Sequence, residues 1–417
     1  MRLLERWLDK NERADALLES LKTTLPTDER ARCQYLLYGT LRHFSLLDGL
    51  INAHVTRPPR ALLRALLLVA SYELLQGRAK AVALVVDHAV ERGKALVSVS
   101  EVRLINAVMR KLAIDVVAKV ERAAGLAEAT EDASQLAEIF SHPQWLVDRW
   151  LRQFGLESTR KLLAWNQEPG LVHARWRATG ETPPEFLKPT KWAGFYEVPS
   201  GHWAEIGVLL EAGKLYLQDP ATRLAPLALG VRKGETVLDC CAAPGGKSLF
   251  IADLLEAGRI VAVDEPGKRL ERLKENLGRI KNVDVALVQS NLLNAEPMLF
   301  KELGLPTAYD AVLIDVPCSN TGVMRHRVDA KWRLREADIA QHAAQQLELL
   351  FAAARLVAPG GRIVYSTCSL EKEENEGVIS KFLRARGKDF SQENRALSRP
   401  WETGHDGSGV FLLSKKK

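Results

Sequence analysis

The sequence predicts an α/β protein whose C-terminal half is a doubly wound, Rossmann-like parallel sheet, preceded by an all-helical segment and a small α+β connector. Three observations carry this expectation. From about residue 216, continuous apolar runs alternate with amphipathic helical stretches, the pattern of a parallel sheet covered on both faces. Residues 1–130 show helical periodicity without strand signals. The chain's 417 residues exceed what one hydrophobic core holds, so several domains are expected.

In the first segment, Thr27 is placed to cap a helix through Arg32, Tyr35, Leu36, Leu41 and Phe44. Pro58-Pro59 opens a leucine-rich helix over Leu62–Leu75, and further helices are expected over Val82–Leu96 and Val102–Lys119. Residues 124–140 are polar and Ala/Glu-rich and read as a linker. His142-Pro143 then starts a helix through Trp150. Leu171–Arg177 and Gly194–Val198 are strand-like, which makes 141–215 a connecting subdomain. In the domain over 216–417, strands are expected at Thr236–Cys241, Arg259–Asp264, Val283–Gln289, Ala311–Val316 and Arg362–Thr367, with Gly409–Leu413 as an edge strand. Helices are expected at Lys247–Glu256, Lys268–Ile280, Ala337–Val357 and Glu374–Arg384, the third ended by Pro359-Gly360-Gly361.

The chain is 47% hydrophobic and 26% charged, an ordinary globular balance. No apolar run reaches the ~18 residues of a membrane span. Met1–Arg6 is charged and lacks the apolar core of a signal peptide, so a cytoplasmic, membrane-free protein is expected. Cys33, Cys240, Cys241, Cys318 and Cys368 are an odd set without CxxC spacing, which fits neither a zinc site nor a disulfide framework. Reduced thiols and no metal are expected. The net charge of +6 suits a polyanionic partner, and residues 1–130 hold 20 Lys+Arg against 15 Asp+Glu, so most of the excess lies there.

Cys241-Ala242-Ala243-Pro244-Gly245-Gly246-Lys247 follows the first strand of the α/β half, where open sheets bind ligands. Its glycines let backbone approach a ligand and expose helix N-terminal amides. Asp264 ends the next strand, where an acid commonly holds ribose hydroxyls. Gly246-Lys247-Ser248 imitates a phosphate-binding loop, but Cys241 stands where that motif needs glycine, and the dinucleotide pattern GxGxxG is absent. An adenosine cofactor without a phosphate cradle is indicated, which suits S-adenosylmethionine.

Asp315 and Cys318 lie at the end of the fourth strand and Cys368 at the end of the fifth. The usual role of a strand-end cysteine is packing; three neighbouring strand ends bearing polar or reactive groups favour chemistry. Methyl transfer to carbon 5 of a pyrimidine needs such groups. A thiolate adding to carbon 6 turns an inert aromatic carbon into a nucleophile. An acid can orient the base through its Watson–Crick edge, and a base must later remove the carbon 5 proton. The target nucleotide must leave its stack to reach the pocket. From the residues alone, either cysteine could attack.

Cys241–Lys247, Asp315-Val316-Pro317-Cys318-Ser319 and Ser366-Thr367-Cys368-Ser369 followed by Glu374-Asn375 resemble the Sun/Nop-type RNA cytosine-5 methyltransferases, as does Gln218-Asp219-Pro220-Ala221. Val82–Leu96 and Leu104–Lys111 resemble a NusB-like RNA-binding domain, and His142–Trp150 the segment that joins the two. Together they resemble the type acting on bacterial 16S ribosomal RNA. The resemblance implies that Cys368 attacks, Cys318 assists release, Asp315 contacts cofactor and base, Asp264 holds the ribose and Lys247 closes the cofactor loop. Asn291 stands where the family's adenine-contacting acid is usual, Val316 for Ala, Asn320 for Gly, and Arg175-Trp176-Arg177 for Arg-x-Asn.

Basic residues near an aromatic suit a looped RNA strand, which makes Arg325, Arg327 and Lys331, beside Trp332, candidate RNA contacts. Solvated loop charges are the plain alternative. Arg103, Arg110 and Lys111 are candidates by resemblance only. A monomer acting on ribosomal RNA is expected. Transfer RNA, another ribosomal position, a small-molecule substrate and a non-catalytic RNA-binding factor are the alternatives.

Overall fold

Leucine-rich periodicity in the first part of the chain closes around one apolar core. The structure, a computed structural model, describes residues 1–21, 24–77 and 82–417, and divides into two compact units. The first joins residues 1–169 to the separate segment 324–334. Its helices include Thr27–Arg42, Ala61–Gln76, Val82–Leu96, Val99–Ala129, Ala133–Ile139 and Gln144–Gln167. Leu4, Trp7, Leu41, Leu66, Leu67, Ile105 and Val328 share its core.

Several boundaries move. Thr27 is the first helical residue rather than the cap, because Pro26 takes the cap position. The helix expected from Val102 begins at Val99. Ser98 caps it in a reciprocal box with Glu101, an S-x-x-E pattern that is legible in the sequence. The expected linker over 124–140 is helical through Ala129, and Asp132 caps the next helix at Ser134 and Gln135. Among the described residues, no helix is long and apolar enough to cross a membrane.

The second unit covers residues 170–323 and 335–417. The helix Gln144–Gln167 goes with the first unit and the strands after it with the second. Strands β1 (His173–Trp176), β2 (Lys188–Pro189), β3 (Phe195–Glu197) and β4 (Leu215–Leu217) form an antiparallel sheet ordered β2-β3-β1-β4.

The large sheet comprises β5 (Thr236–Cys240), β6 (Arg259–Asp264), β7 (Asp284–Gln289), β8 (Tyr309–Asp315), β9 (Val357–Thr367), β10 (Phe390–Ser398) and β11 (Ser408–Lys415). Its order is β10-β11-β9-β8-β5-β6-β7, with β5 to β9 parallel and β11 antiparallel between β9 and β10. The expected edge strand at Gly409–Leu413 is thus interior. β10 takes the edge, and its polar, solvent-facing sequence hides it. Pro359-Gly360-Gly361 lies within the irregular start of β9, where the register slips between Tyr309↔Val357 and Ala311↔Arg362. Register brings the carboxyl ends together: Cys240 pairs with Ile314 and Val263, Asp264 with Gln289, and Asp315 with Ser366.

Candidate active site

After β5 the chain turns sharply into the helix Gly246–Leu255. Cys241 (φ 58°) and Gly245 (φ 102°) take left-handed backbone there. A side chain at Gly246 would meet the Tyr216 ring at 2.8 Å, so backbone and aromatic close up tightly. Asp264 ends β6 and accepts a hydrogen bond from the Ala243 amide at 2.8 Å, which ties its carboxylate to the loop. Asn291 follows β7. Its amide nitrogen donates to Glu265 at 2.5 Å and its oxygen accepts from the Leu293 amide at 2.8 Å, so local structure already uses both ends of the side chain.

Lys247 projects from the first turn of that helix and pairs with Asp315 at 2.5 Å. Burial alone would lower its pKa, but the Asp315 carboxylate overcomes this and holds the ammonium above the ordinary lysine range; Cys368 adds in the same direction. Ser366 donates to the other Asp315 oxygen at 2.6 Å. Behind them, Asp239 on β5 is 1% exposed, accepts from Ser248 and is pushed up to about 7, chiefly by burial. Its second oxygen has no hydrogen-bond partner among the described residues. An acid inside an apolar strand run was the available sequence signal for Asp239.

The two cysteines meet: their sulfurs lie 3.1 Å apart, and both are free thiols. They differ in setting. Cys318 is buried, and its hydrogen bond to Cys368, with burial and the Glu374 charge, pushes its thiol well up. Cys368 is more open and donates to Asn320 at 3.4 Å. Asn320 has φ 62° and donates to the Cys318 carbonyl at 2.8 Å. Left-handed backbone accounts for asparagine where the resembled family has glycine.

A buried network ties the two cysteine loops together. The Glu374 carboxylate accepts from the Ser319 amide at 2.9 Å, from the Ser319 and Ser369 hydroxyls, and from Gln346 at 2.8 Å. Asn375 accepts from Thr367 at 2.8 Å and donates to the Ser369 carbonyl at 2.9 Å. The Gly322 amide donates to the Cys368 carbonyl at 2.9 Å. Sequence reasoning had noted Glu374 and Asn375 only as part of a motif.

The basic candidates fare differently. Lys331 is 2% exposed and donates to the Arg42 carbonyl at 2.9 Å. Arg325 is buried, stacks over Trp165 at 4.1 Å and donates to the Pro169 carbonyl at 3.0 Å. Trp332 donates to the Leu41 carbonyl at 2.7 Å. These side chains anchor segment 324–334 in the helical core, which corrects their expected place on an RNA-facing loop. Arg327 stays exposed, paired with Asp15. Arg103, Arg110 and Lys111 also keep their side chains in solvent, on one face of Val99–Ala129. Arg175 is buried against Asp253 at 2.6 Å and Phe250 at 4.2 Å.

Known proteins resemble this chain along most of its length. A family described as 16S rRNA methyltransferase RsmB/F matches residues 226–405, and the NusB family matches 1–114. The ribosomal RNA small subunit methyltransferase B of Serratia proteamaculans is 30% identical over 97% of this chain and 94% of its own length. That of Vibrio cholerae is 30% identical over 97% and 93%. The chain belongs to the ribosomal RNA small subunit methyltransferase B (RsmB) family. Solved structures share the fold. PH0851 has a TM-score of 0.77 at 24% identity, covering 99% of this chain and 97% of its own. NSun6 from Pyrococcus horikoshii, solved with SFG, has 0.54 at 21%, covering 65% and 97%.

S-adenosylmethionine is the cofactor of this RsmB-family methyltransferase. The residues fit it. The tight Gly245-Gly246 turn admits close backbone approach, Asp264 would offer a carboxylate to a ribose, and the loop's one lysine is committed to Asp315 rather than free for phosphate.

Proposed function

We propose that the enzyme methylates carbon 5 of a cytosine in 16S ribosomal RNA through a covalent Cys368 adduct. The observation that carries this is the pair of free thiols 3.1 Å apart at the sheet's carboxyl edge, one buried and one open, beside the Lys247–Asp315 pair.

Bound S-adenosylmethionine supplies an electrophilic methyl group. Asp315 accepts from the exocyclic amine of the extruded cytosine and orients the ring. Cys368 adds to carbon 6 as its thiolate. The carbon 5–carbon 6 π pair moves to carbon 5, which takes the methyl group. A water molecule takes the carbon 5 proton, the C–H electron pair re-forms the double bond, and the carbon 6–sulfur pair leaves with Cys368, whose thiolate the Cys318 thiol assists by hydrogen bonding. Arg103, Arg110 and Lys111, exposed on one helix face, engage RNA phosphates, as does Arg327.

Bisulfite mapping of 16S ribosomal RNA from a deletion strain locates the cytosine. Cys368→Ala abolishes methylation, whereas Cys318→Ala accumulates a denaturant-stable protein–RNA complex. Full activity in Cys368→Ala refutes the nucleophile assignment. An unchanged bisulfite map refutes the substrate.

A further inference from the structure

Glu374 is 0% exposed, and all its hydrogen-bond donors are neutral. A buried carboxylate without a cation is costly unless its acceptor capacity is filled. Here two of the donors are the hydroxyls of Ser319 and Ser369, each the residue directly after a reactive cysteine. A third is the Ser319 amide, and the fourth, Gln346, also donates to the Pro317 carbonyl at 2.9 Å, just before Cys318. One carboxylate therefore grips both cysteine loops, which come from different strands 50 residues apart in sequence. Tyr365 fixes the carboxylate's own backbone by donating to the Glu374 carbonyl at 2.6 Å.

We infer that Glu374 is a positioning residue of methyl transfer, whose carboxylate sets the spacing of the attacking and releasing thiols. The inference rests on the roles of Cys368 and Cys318 proposed above. It has a geometric and an electrostatic part. Geometrically, the attacking and releasing sulfurs must serve one pyrimidine ring, and a loop shift of an ångström costs about a hundredfold in rate. Electrostatically, a fixed negative charge behind Cys318 opposes its ionisation. A glutamine cannot replace the carboxylate, because its amide presents donors to donors.

The test uses the full-length enzyme, S-adenosylmethionine and 16S ribosomal RNA carrying 5-fluorocytidine, whose fluorine cannot leave and so traps the adduct. Glu374→Gln is expected to slow single-turnover adduct formation by about tenfold to a hundredfold, with unchanged affinity for S-adenosylmethionine and RNA. Iodoacetamide should then modify Cys318 at lower pH than in the wild type. Glu374→Asp should restore that pH profile without restoring the rate. Ser369→Ala, which removes one donor with little risk to folding, should slow trapping in the same direction. Wild-type trapping rates in Glu374→Gln and Ser369→Ala overturn the inference, as does a rate loss matched by loss of S-adenosylmethionine binding. Failure of the wild type to form an adduct at Cys368 instead refutes the cysteine roles themselves.

Discussion

Replacing Lys331 with methionine separates an anchoring role from an RNA contact. The ammonium is 2% exposed, donates to the Arg42 carbonyl and lies 5.1 Å from the Trp332 ring centroid. Burial, reinforced by Arg42, pushes its pKa well below the ordinary lysine value of 10.5. The neighbouring ionisable groups are bases: Arg42, His43, which burial pushes to about 3, and His142, which burial pushes well down. A base with a depressed folded pKa has its full stabilising share above the unfolded value. It loses that share as pH falls towards the folded value, because only the unfolded chain takes up the proton. The loss is about 1.4 kcal/mol per pH unit. Methionine gives up the lysine hydrogen bond, worth about 1 kcal/mol; the Arg42 carbonyl keeps a partner in Gln167 at 3.3 Å. The variant should therefore gain on the wild type as pH falls from 9 towards 7, by up to about 1.4 kcal/mol per pH unit. That raises the melting temperature by about 2–4 °C per kcal/mol. Thermal denaturation from pH 6 to 9, with filter binding of 16S ribosomal RNA, reads both quantities. A pH-independent difference, destabilisation at pH 7, or a large loss of RNA affinity at unchanged stability would refute the anchoring argument.

Two further outcomes are expected. Asn320→Gly should fold normally, whereas Asn320→Ala should lose about 1–2 kcal/mol, because alanine resists the left-handed φ of 62°. Equal melting temperatures for the pair would contradict this. Asp239→Asn should stabilise the protein at pH 8 by a few kcal/mol and at pH 4 hardly at all. The folded pKa of about 7 lies above the unfolded 3.8, so stability is complete below the lower value and falls as pH rises through the higher. Chemical denaturation at the two pH values checks it, and a uniform shift would count against a buried carboxylate.

The parallel strands were legible because strands buried on both faces are continuous apolar runs, as in Arg259–Asp264 and Tyr309–Asp315. β10 was not, since its interior positions from Ser391 to Leu397 all face solvent and carry no alternation. The helical continuation through 124–129 was masked by a composition that suits both a linker and a solvated helix. Lys331 and Arg325 misled for a different reason. Basic residues beside tryptophan mark an RNA surface, but the same residues with long apolar stems also pack beneath a loop and donate to carbonyls. Sequence spacing does not distinguish the two; burial does.

The equivalence of the two cysteines in sequence has the same origin. Pro317-Cys318-Ser319 and Thr367-Cys368-Ser369 look alike locally, and each follows an apolar strand. What separates them is long-range: a carboxylate at position 374 that reaches both serines, an asparagine at 320 whose left-handed backbone turns its amide toward Cys368, and a lysine at 247 whose ammonium Cys368 helps to hold. Each of these comes from a different loop, so no motif contains the distinction. The Glu374 charge bears on Cys318, and Cys368 is the thiol that bears on the Lys247 ammonium. Moving the Glu374 charge, with both cysteines intact, should therefore let Cys318 ionise at lower pH.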